Sequence, residues 1–177
     1  MRIIGGKHRG RVLKTFEGEA VRPTSDRARE ALFNVLQNEI FDSVFYDGFA
    51  GSGAVGLEAL SRGAKKVVLT DVSSESVKLI KSNAALLKET PTILNVDCVS
   101  FLSSTDEKFD IIFLDPPYKK DDGELALKII AERDILSKEG FAVLEKDREG
   151  VEISGLDKQK IKKYGKALFT FYKKKNV

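Results

Sequence analysis

The stretch "FDIIFLDPPY", Phe109 to Tyr118, ends an apolar run in an acid, two prolines and a tyrosine. Pro116 and Pro117 hold φ near −65° and remove two N–H donors, so a strand cannot continue through them. A rigid turn there presents the Asp115 carboxylate, the Pro116 carbonyl and the Tyr118 ring together. That set suits an exocyclic amino group on a planar base. One N–H goes to Asp115, the other to the Pro116 carbonyl, and Tyr118 stacks on the ring, worth about 1–3 kcal/mol in nucleic-acid complexes. With both hydrogens held by acceptors, the nitrogen lone pair is drawn out of conjugation and aimed at an electrophile, a reaction in which positioning supplies most of the rate. Asp115 takes the proton late or relays it to water. The plainer alternative is a loop in which two prolines only end a strand.

A second candidate lies upstream. "DGFAGSGAVG", Asp47 to Gly56, joins a strand-like run to a helix-like one. Gly51 and Gly53 reach dihedrals other residues avoid, and without side chains they let a ligand approach the backbone. Such a loop lies at the carboxyl end of a strand, where open α/β sheets bind ligands. Asp71 ends the next strand, twenty residues after Gly51, and a carboxylate there accepts both hydroxyls of a ribose. "GSGAVG" is also a literal G-x-G-x-x-G, so a nicotinamide cofactor competes for this loop.

The elements that must bring the two turns together follow from periodicity. "VRPTSDRAREALFNVLQNEIF" starts a helix after Pro23, with Thr24 or Asp26 as its cap; Ala28, Ala31, Leu32, Val35, Leu36 and Ile40 share one face. Strand and helix then alternate. The predicted strands are "SVFYDGF", "KKVVLTD", "PTILNVD", "KFDIIFLD" and "GFAVLEK"; the longer helices between them are "AVGLEALSRG", "SSESVKLIKSNAALLKE" and "GELALKIIAERDIL". Alternation of this kind predicts an α/β fold of right-handed βαβ units around a mostly parallel sheet. "KQKIKKYGKALFTFYKK" reads as two strands joined at Gly165, an antiparallel hairpin that makes the sheet seven-stranded. "MRIIGGKHRGRVLKTF" reads as a small N-terminal β-hairpin. In such a sheet the carboxyl ends of the first and fourth strands sit side by side, so Asp115 and the glycine loop line one crevice.

Composition narrows the classes. The 177 residues fit one main domain with a core of its own. Apolar runs fall far short of the roughly 20 residues of a membrane helix, and the first residues lack the apolar segment of a secretory signal. Cys98 is the only cysteine, which excludes an internal disulfide and suits a reducing cytoplasm. The net charge of +3 is unevenly spread. Residues 1–14 carry five Lys/Arg and no acid, and residues 157–177 carry eight Lys and one acid. The middle holds the remaining 17 of 30 Lys/Arg against 26 of 27 Asp/Glu. Basic ends of this kind suit a phosphate backbone. His8, the only histidine, has no cluster to join, so no metal is expected.

"DGFAGSG" followed by "LDPPY" resembles the paired motifs of S-adenosylmethionine-dependent amino-methyltransferases. Together with "MRIIGGKHRGRVL", "VRPTSDRAREALFNVL" and "GFAGSGAVGLEALSRGA", the chain is similar over nearly its whole length to the bacterial family that methylates guanine N2 in 16S ribosomal RNA. The resemblance implies a Rossmann-like class I methyltransferase, with a basic N-terminal β-hairpin extension over residues 1–20 and the S-adenosylmethionine-dependent domain over residues 21–177. It implies a cytoplasmic enzyme acting on 16S rRNA within a small-subunit particle, with neither metal nor membrane. By the same resemblance Asp47, Phe49, Gly51 and Gly53 hold the methionine half of the cofactor and Asp71 its ribose. Asp97 receives the adenine amine with Cys98 packing nearby, and Asp115, Pro116, Pro117 and Tyr118 grip the target base. Gly48 and the Asp71-Val72 pair depart from the family's usual pattern.

Arg22, Thr24 and Arg29, around the first turn of the first helix, are expected to meet RNA phosphate or the cofactor carboxylate. Lys7, His8, Arg9 and Arg11 are expected to reach outward as an RNA arm. No segment between the glycine loop and DPPY is long enough for a separate recognition domain, so the target is expected to be recognised by shape and unstacked to react. Three alternatives stay open: methylation of another amine such as adenine N6, a nicotinamide-dependent dehydrogenase, and a non-catalytic RNA-binding module. The DPPY turn does not by itself distinguish guanine N2 from adenine N6 or cytosine N4.

Overall fold

The computed structural model describes residues 1–17, 24–118 and 120–176. Five βα-type units run in sequence: α1 (Asp26–Val35), β1 (Val44–Asp47), α2 (Ala54–Ser61), β2 (Lys66–Asp71), α3 (Ser74–Leu86), β3 (Thr92–Asn95), α4 (Cys98–Ser104), β4 (Phe109–Leu114), α5 (Asp122–Glu132) and β5 (Leu136–Lys146). β6 (Leu156–Tyr164) and β7 (Ala167–Lys174) close the chain. The sheet order is β3-β2-β1-β4-β5-β7-β6. β1 to β5 are parallel, and β7 pairs antiparallel with both β5 and β6. The expected seven-stranded sheet and its terminal hairpin are therefore present, and the order reverses between β1 and β4, the switch point.

The strands β1, β4 and β5 carry apolar residues on both faces because helices cover both sides. Phe45, Phe113 and Val143 pack on the α1 side with Leu32, Phe33 and Phe169. Tyr46, Leu114 and Leu144 pack on the other side with Leu127 and Ile130. Side chains alternate along a strand, so the next residues in phase with Phe45, Phe113 and Val143 are Asp47, Asp115 and Glu145. Three acids thus share the α1 face at the carboxyl edge: Asp115 beside Glu145, and Asp47, level with Phe113, one same-face step earlier on β1.

Element ends differ from the sequence reading around α1 and between α5 and β5. The expected apolar face of the first helix continued to Ile40, yet α1 stops at Val35. Leu36 and Ile40 remain buried through a turn in which the Ile40 amide donates to the Leu36 carbonyl. The cap is Ser25, whose hydroxyl accepts from the Ala28 amide at 3.1 Å, and neither Thr24 nor Asp26. α5 stops at Glu132, and β5 begins already at Leu136, with a register shift opposite Phe109 and Ile111.

The N-terminal segment folds back antiparallel, with a bridge between Arg2 and Val12. Ile3 and Leu13 are buried against Ala54 and Leu57 of α2, Ala84 of α3 and Leu87 at its C-cap. No helix among the described residues is long and apolar enough to cross a membrane.

Candidate active site

The glycine loop is built from β1 and braced by β2. The Gly48 amide donates to the Phe113 carbonyl at 3.0 Å, which ties β1's end to β4. The Thr70 hydroxyl donates to the Gly48 carbonyl at 3.0 Å and accepts from the Tyr46 hydroxyl at 2.7 Å. The Ala50 amide donates to the Thr70 carbonyl, and the Gly53 amide to the Ala50 carbonyl at 2.7 Å. Gly51 has φ +56° and open space where a Cβ would stand, so the loop leaves room above its backbone. Gly53, with φ +83°, is the N-cap of α2.

Asp47 is 1% exposed. One carboxylate oxygen accepts from the Gly56 amide at 3.0 Å, while Oδ1 has no hydrogen-bond partner among the described residues. Burial, followed by the neighbouring Asp71 and Glu145 carboxylates, pushes the Asp47 carboxyl up to about 7 against the pull of the Gly56 amide. Asp71 sits beside the loop, accepting from Gly51 N and from Ser73 N, both at 2.9 Å. Each of its oxygens keeps acceptor capacity. Asp97 is the N-cap of α4, accepting from the Ser100 amide at 2.9 Å, and its hydrogen bonds with Ser100 hold its carboxyl below the usual range.

Asp115 and Glu145 stand opposite each other, one step beyond the Leu114–Leu144 pair of β4 and β5. The Thr24 hydroxyl, arriving from just before α1, donates to Glu145 at 2.6 Å. Burial, then the charges of Glu145 and Asp47, holds the Asp115 carboxyl well above the ordinary range, and only the Thr24 hydroxyl pulls it back. Pro116 is buried against Gly123, where a Cβ would meet Leu144 at 2.6 Å and Pro116 at 2.9 Å. The Pro117 carbonyl accepts from the Lys120 amide at 3.1 Å. Tyr118 turns outward, 37% exposed. The glycine loop, Asp71 and the DPPY turn therefore meet at one end of the sheet.

Other expected site residues lie elsewhere. Phe49 is half-buried against the Tyr46 cluster. Cys98 is 2% exposed, beneath the loop, and burial pushes its thiol up to about 12. Its Sγ lies 2.7 Å from where a Gly48 Cβ would stand, so glycine at position 48 is the complement of the sulfur below it.

Arg29 corrects an expectation: its side chain is wholly buried, so a surface phosphate cannot reach it. Its guanidinium bonds the Arg2 carbonyl and Asp26, and Nε lies 3.6 Å from Glu58. Glu58 in turn accepts from the Ile4 and Gly5 amides and from Arg62. Thr24 is likewise buried and committed to Glu145 rather than turned to the surface. The hairpin does not project freely either. Lys7 and His8 bond Glu89 at 2.6 and 2.8 Å, and Arg11 bonds the Leu86 carbonyl, while Arg9 is exposed. Arg22 lies outside the described residues.

Sequence reasoning missed Glu145, Glu58 and Asn83. The Asn83 side chain donates to the Lys14 and Ser52 carbonyls, joining the N-terminal segment to the glycine loop. Glu145 left a usable trace: "GFAVLEK" is an apolar strand ending in an acid beside the strand that ends in Asp115.

A family model described as "Conserved hypothetical protein 95" matches residues 1–173. The Haemophilus influenzae protein named ribosomal RNA small subunit methyltransferase D is 38% identical over 154 residues, covering 84% of this chain and 80% of its own length. The Escherichia coli K12 protein of that name is 39% identical over 150 residues, covering 84% and 76%. The solved structure of Escherichia coli yhhF superposes with a TM-score of 0.89 at 33% identity, covering 100% of this chain and 99% of that one. These matches set aside the nicotinamide dehydrogenase reading of the glycine loop. By sequence and by its Rossmann-like class I architecture, the chain belongs to the ribosomal RNA small subunit methyltransferase D family.

Proposed function

We propose that this chain transfers a methyl group from S-adenosylmethionine to the exocyclic N2 amine of a guanine in 16S ribosomal RNA, presented in a small-subunit particle. The observation that carries the reading is the meeting of the Gly51 loop and the Asp115 turn at the switch point, beside the carboxyl groups of Asp47, Asp115 and Glu145. The residues fit a cationic adenosyl ligand. Asp47 offers a buried acceptor with no partner, Gly51 leaves its backbone open, and Asp71 and Asp97 stand at the ends of the next two strand–helix turns. When bound, S-adenosylmethionine supplies an electrophilic sulfonium methyl group.

The chain's own residues do the rest. Asp115 and the Pro116 carbonyl accept the two N–H bonds of the target amine, and Tyr118 stacks on its ring. As the nitrogen takes the methyl carbon, the carbon–sulfur bond would break and the donor leave as a neutral thioether; the nitrogen, then cationic, sheds one proton to Asp115, which stands beside Thr24 and Glu145. Positive charge entering the crevice offsets the repulsion among Asp47, Asp115 and Glu145, and so favours the ionised Asp115 that accepts the proton. The choice of guanine N2 rests on the family resemblance and on the relatives' small-subunit names.

The experiment is nucleoside mass spectrometry of ribosomal RNA from cells lacking the protein, complemented by the parent chain or by Asp115→Ala. The proposal expects N2-methylguanosine to fall without the protein and to return with the parent only. N6-methyladenosine falling instead would move the target to adenine. Full restoration by Asp115→Ala would make the chain a non-catalytic RNA-binding module. Calorimetry with S-adenosylhomocysteine on Asp115→Ala separates lost chemistry from lost cofactor binding.

A further inference from the structure

Outside the crevice, a cleft of about 520 Å³ lies between the start of α1, Tyr118 and the turn joining β6 to β7. Its walls carry two aromatic rings, Tyr118 and Tyr164, and two cations, Arg27 and Lys166. Tyr164 is 39% exposed, and its ring is held from behind by Phe169 at 6.4 Å between centroids. Gly165 and Lys166 alone connect the paired residues Tyr164 and Ala167, with Gly165 at φ +59°. A two-residue turn with glycine first is a rigid hairpin connection, so Tyr164 and Lys166 are fixed at the rim.

The charge distribution points to a polyanion. Lys158, Lys173 and Lys174, nearer the far ends of the hairpin strands, are paired with Glu149, Glu139 and Asp134. Among the described residues, Arg27, Lys162 and Lys166 are in no such ion pair, and all three are exposed. Lysines on an edge strand also discourage pairing with another chain. That function accounts for Lys162, but not for a cleft floored by a pre-oriented tyrosine that shares Tyr118 with the target-base turn.

Resting on the proposed RNA reading, we propose that this cleft holds the unpaired nucleotide next to the target base, its base stacked on Tyr164 and its flanking phosphates on Arg27 and Lys166. An unstacked target needs its neighbours splayed too, and a ring plus cations recognises any base without reading sequence. The site thus selects single-stranded over duplex RNA at the target.

The test is fluorescence anisotropy with a ten-nucleotide unstructured RNA and its duplex, on the parent chain and on Tyr164→Ala, Tyr164→Phe, Arg27→Ala and Lys166→Ala. The parent is expected to prefer the single strand. Tyr164→Ala weakens that binding about ten-fold or more, Tyr164→Phe restores it, and each cation variant lowers the salt slope by about 0.7. Thermal melting checks that the variants stay folded, and these exposed positions are expected to leave melting unchanged. Equal binding of Tyr164→Ala and the parent, or equal affinity of the parent for both RNAs, overturns the cleft assignment even where methyl transfer is normal. Absence of methyl transfer by the parent overturns the broader reading instead. A ribosomal protein that competes for the cleft while RNA binding ignores Tyr164 would reassign the surface to that protein.

Discussion

Thr24 and Glu145 lie 121 positions apart in the chain and 2.6 Å apart in the fold. The contact joins the segment leading into α1 to the last residues of β5, and it places one hydroxyl beside the Asp115–Glu145 pair. A hydroxyl has one hydrogen to give and two lone pairs to receive. It donates to Glu145, and a turn of the hydroxyl lets it donate to ionised Asp115 instead, so it favours the charged form of either carboxyl group.

This arrangement sets a pH dependence. Asp115 must be ionised to accept a proton, and its carboxyl is held high by burial and by Glu145 and Asp47. Activity therefore falls as pH drops through that raised value. Glu145→Gln removes the like charge facing Asp115, so the acid limb of kcat/KM moves to lower pH. Thr24→Val removes the one group that favours the charged form, so the limb moves to higher pH. Opposite movements in the two variants are expected in methyl transfer to purified small-subunit particles. A limb fixed in both would show that the pair only supports the fold.

Asp47 carries a cost to stability that a cofactor can offset. Its carboxyl is pushed up to about 7 in the folded chain, against 3.8 for the ordinary group. Between those values the folded state holds more protons than the unfolded one, so stability declines as pH rises through the window. Asp47→Asn keeps an acceptor for the Gly56 amide and removes the charge. Urea denaturation should find it more stable than the parent by about 2 kcal/mol at pH 8, with little difference near pH 4. Its affinity for S-adenosylhomocysteine should fall in the same samples.

The sheet and the meeting of its two turns were legible because alternating apolar runs and prolines act locally. "LDPPY" names its own turn, and "GSG" its own loop. What the sequence concealed was side-chain commitment across long separations. Arg29 reads as a surface cation one turn into an amphipathic helix, yet Glu58 and the Arg2 carbonyl claim it from α2 and the N-terminal segment. Thr24 reads as a cap, but Ser25 takes that place and frees Thr24 for Glu145. Gly48 reads as a family irregularity, but Cys98 lies beneath it and takes the space of a side chain. Each partner is fixed only by packing, which local pattern does not encode.

The buried Arg29–Glu58 pair is expected to act as the latch of the N-terminal segment. Arg29→Ala leaves Glu58 buried with less compensating charge and opens a cavity, a loss of about 3–5 kcal/mol by urea denaturation. Arg29→Met fills the space without the charge and should lose less. In both, hydrogen exchange at the Ile3, Gly10 and Leu13 amides should quicken, because Glu58 and Arg29 hold the segment through Ile4, Gly5 and Arg2. Unchanged exchange there would place the latch in the Ile3 and Leu13 packing alone.

Gly48 and Cys98 give a test by double mutation. A Cβ at position 48 would stand 2.7 Å from Cys98 Sγ and 3.0 Å from Leu114. Gly48→Ala should therefore destabilise by about 1–3 kcal/mol through overpacking. Cys98→Ala removes the sulfur and leaves a small void, a loss of about 1–2 kcal/mol. If the two positions share one volume, the double variant is more stable than the sum of the single losses implies, by about 1 kcal/mol. Thiol labelling gives an independent readout. The Cys98 thiol is buried and its pKa is raised to about 12, so the parent should alkylate slowly at pH 8. Gly48→Ala should speed that reaction by displacing the loop above the sulfur. Additive losses with unchanged labelling would mean that Leu114, and not Cys98, sets the size of residue 48.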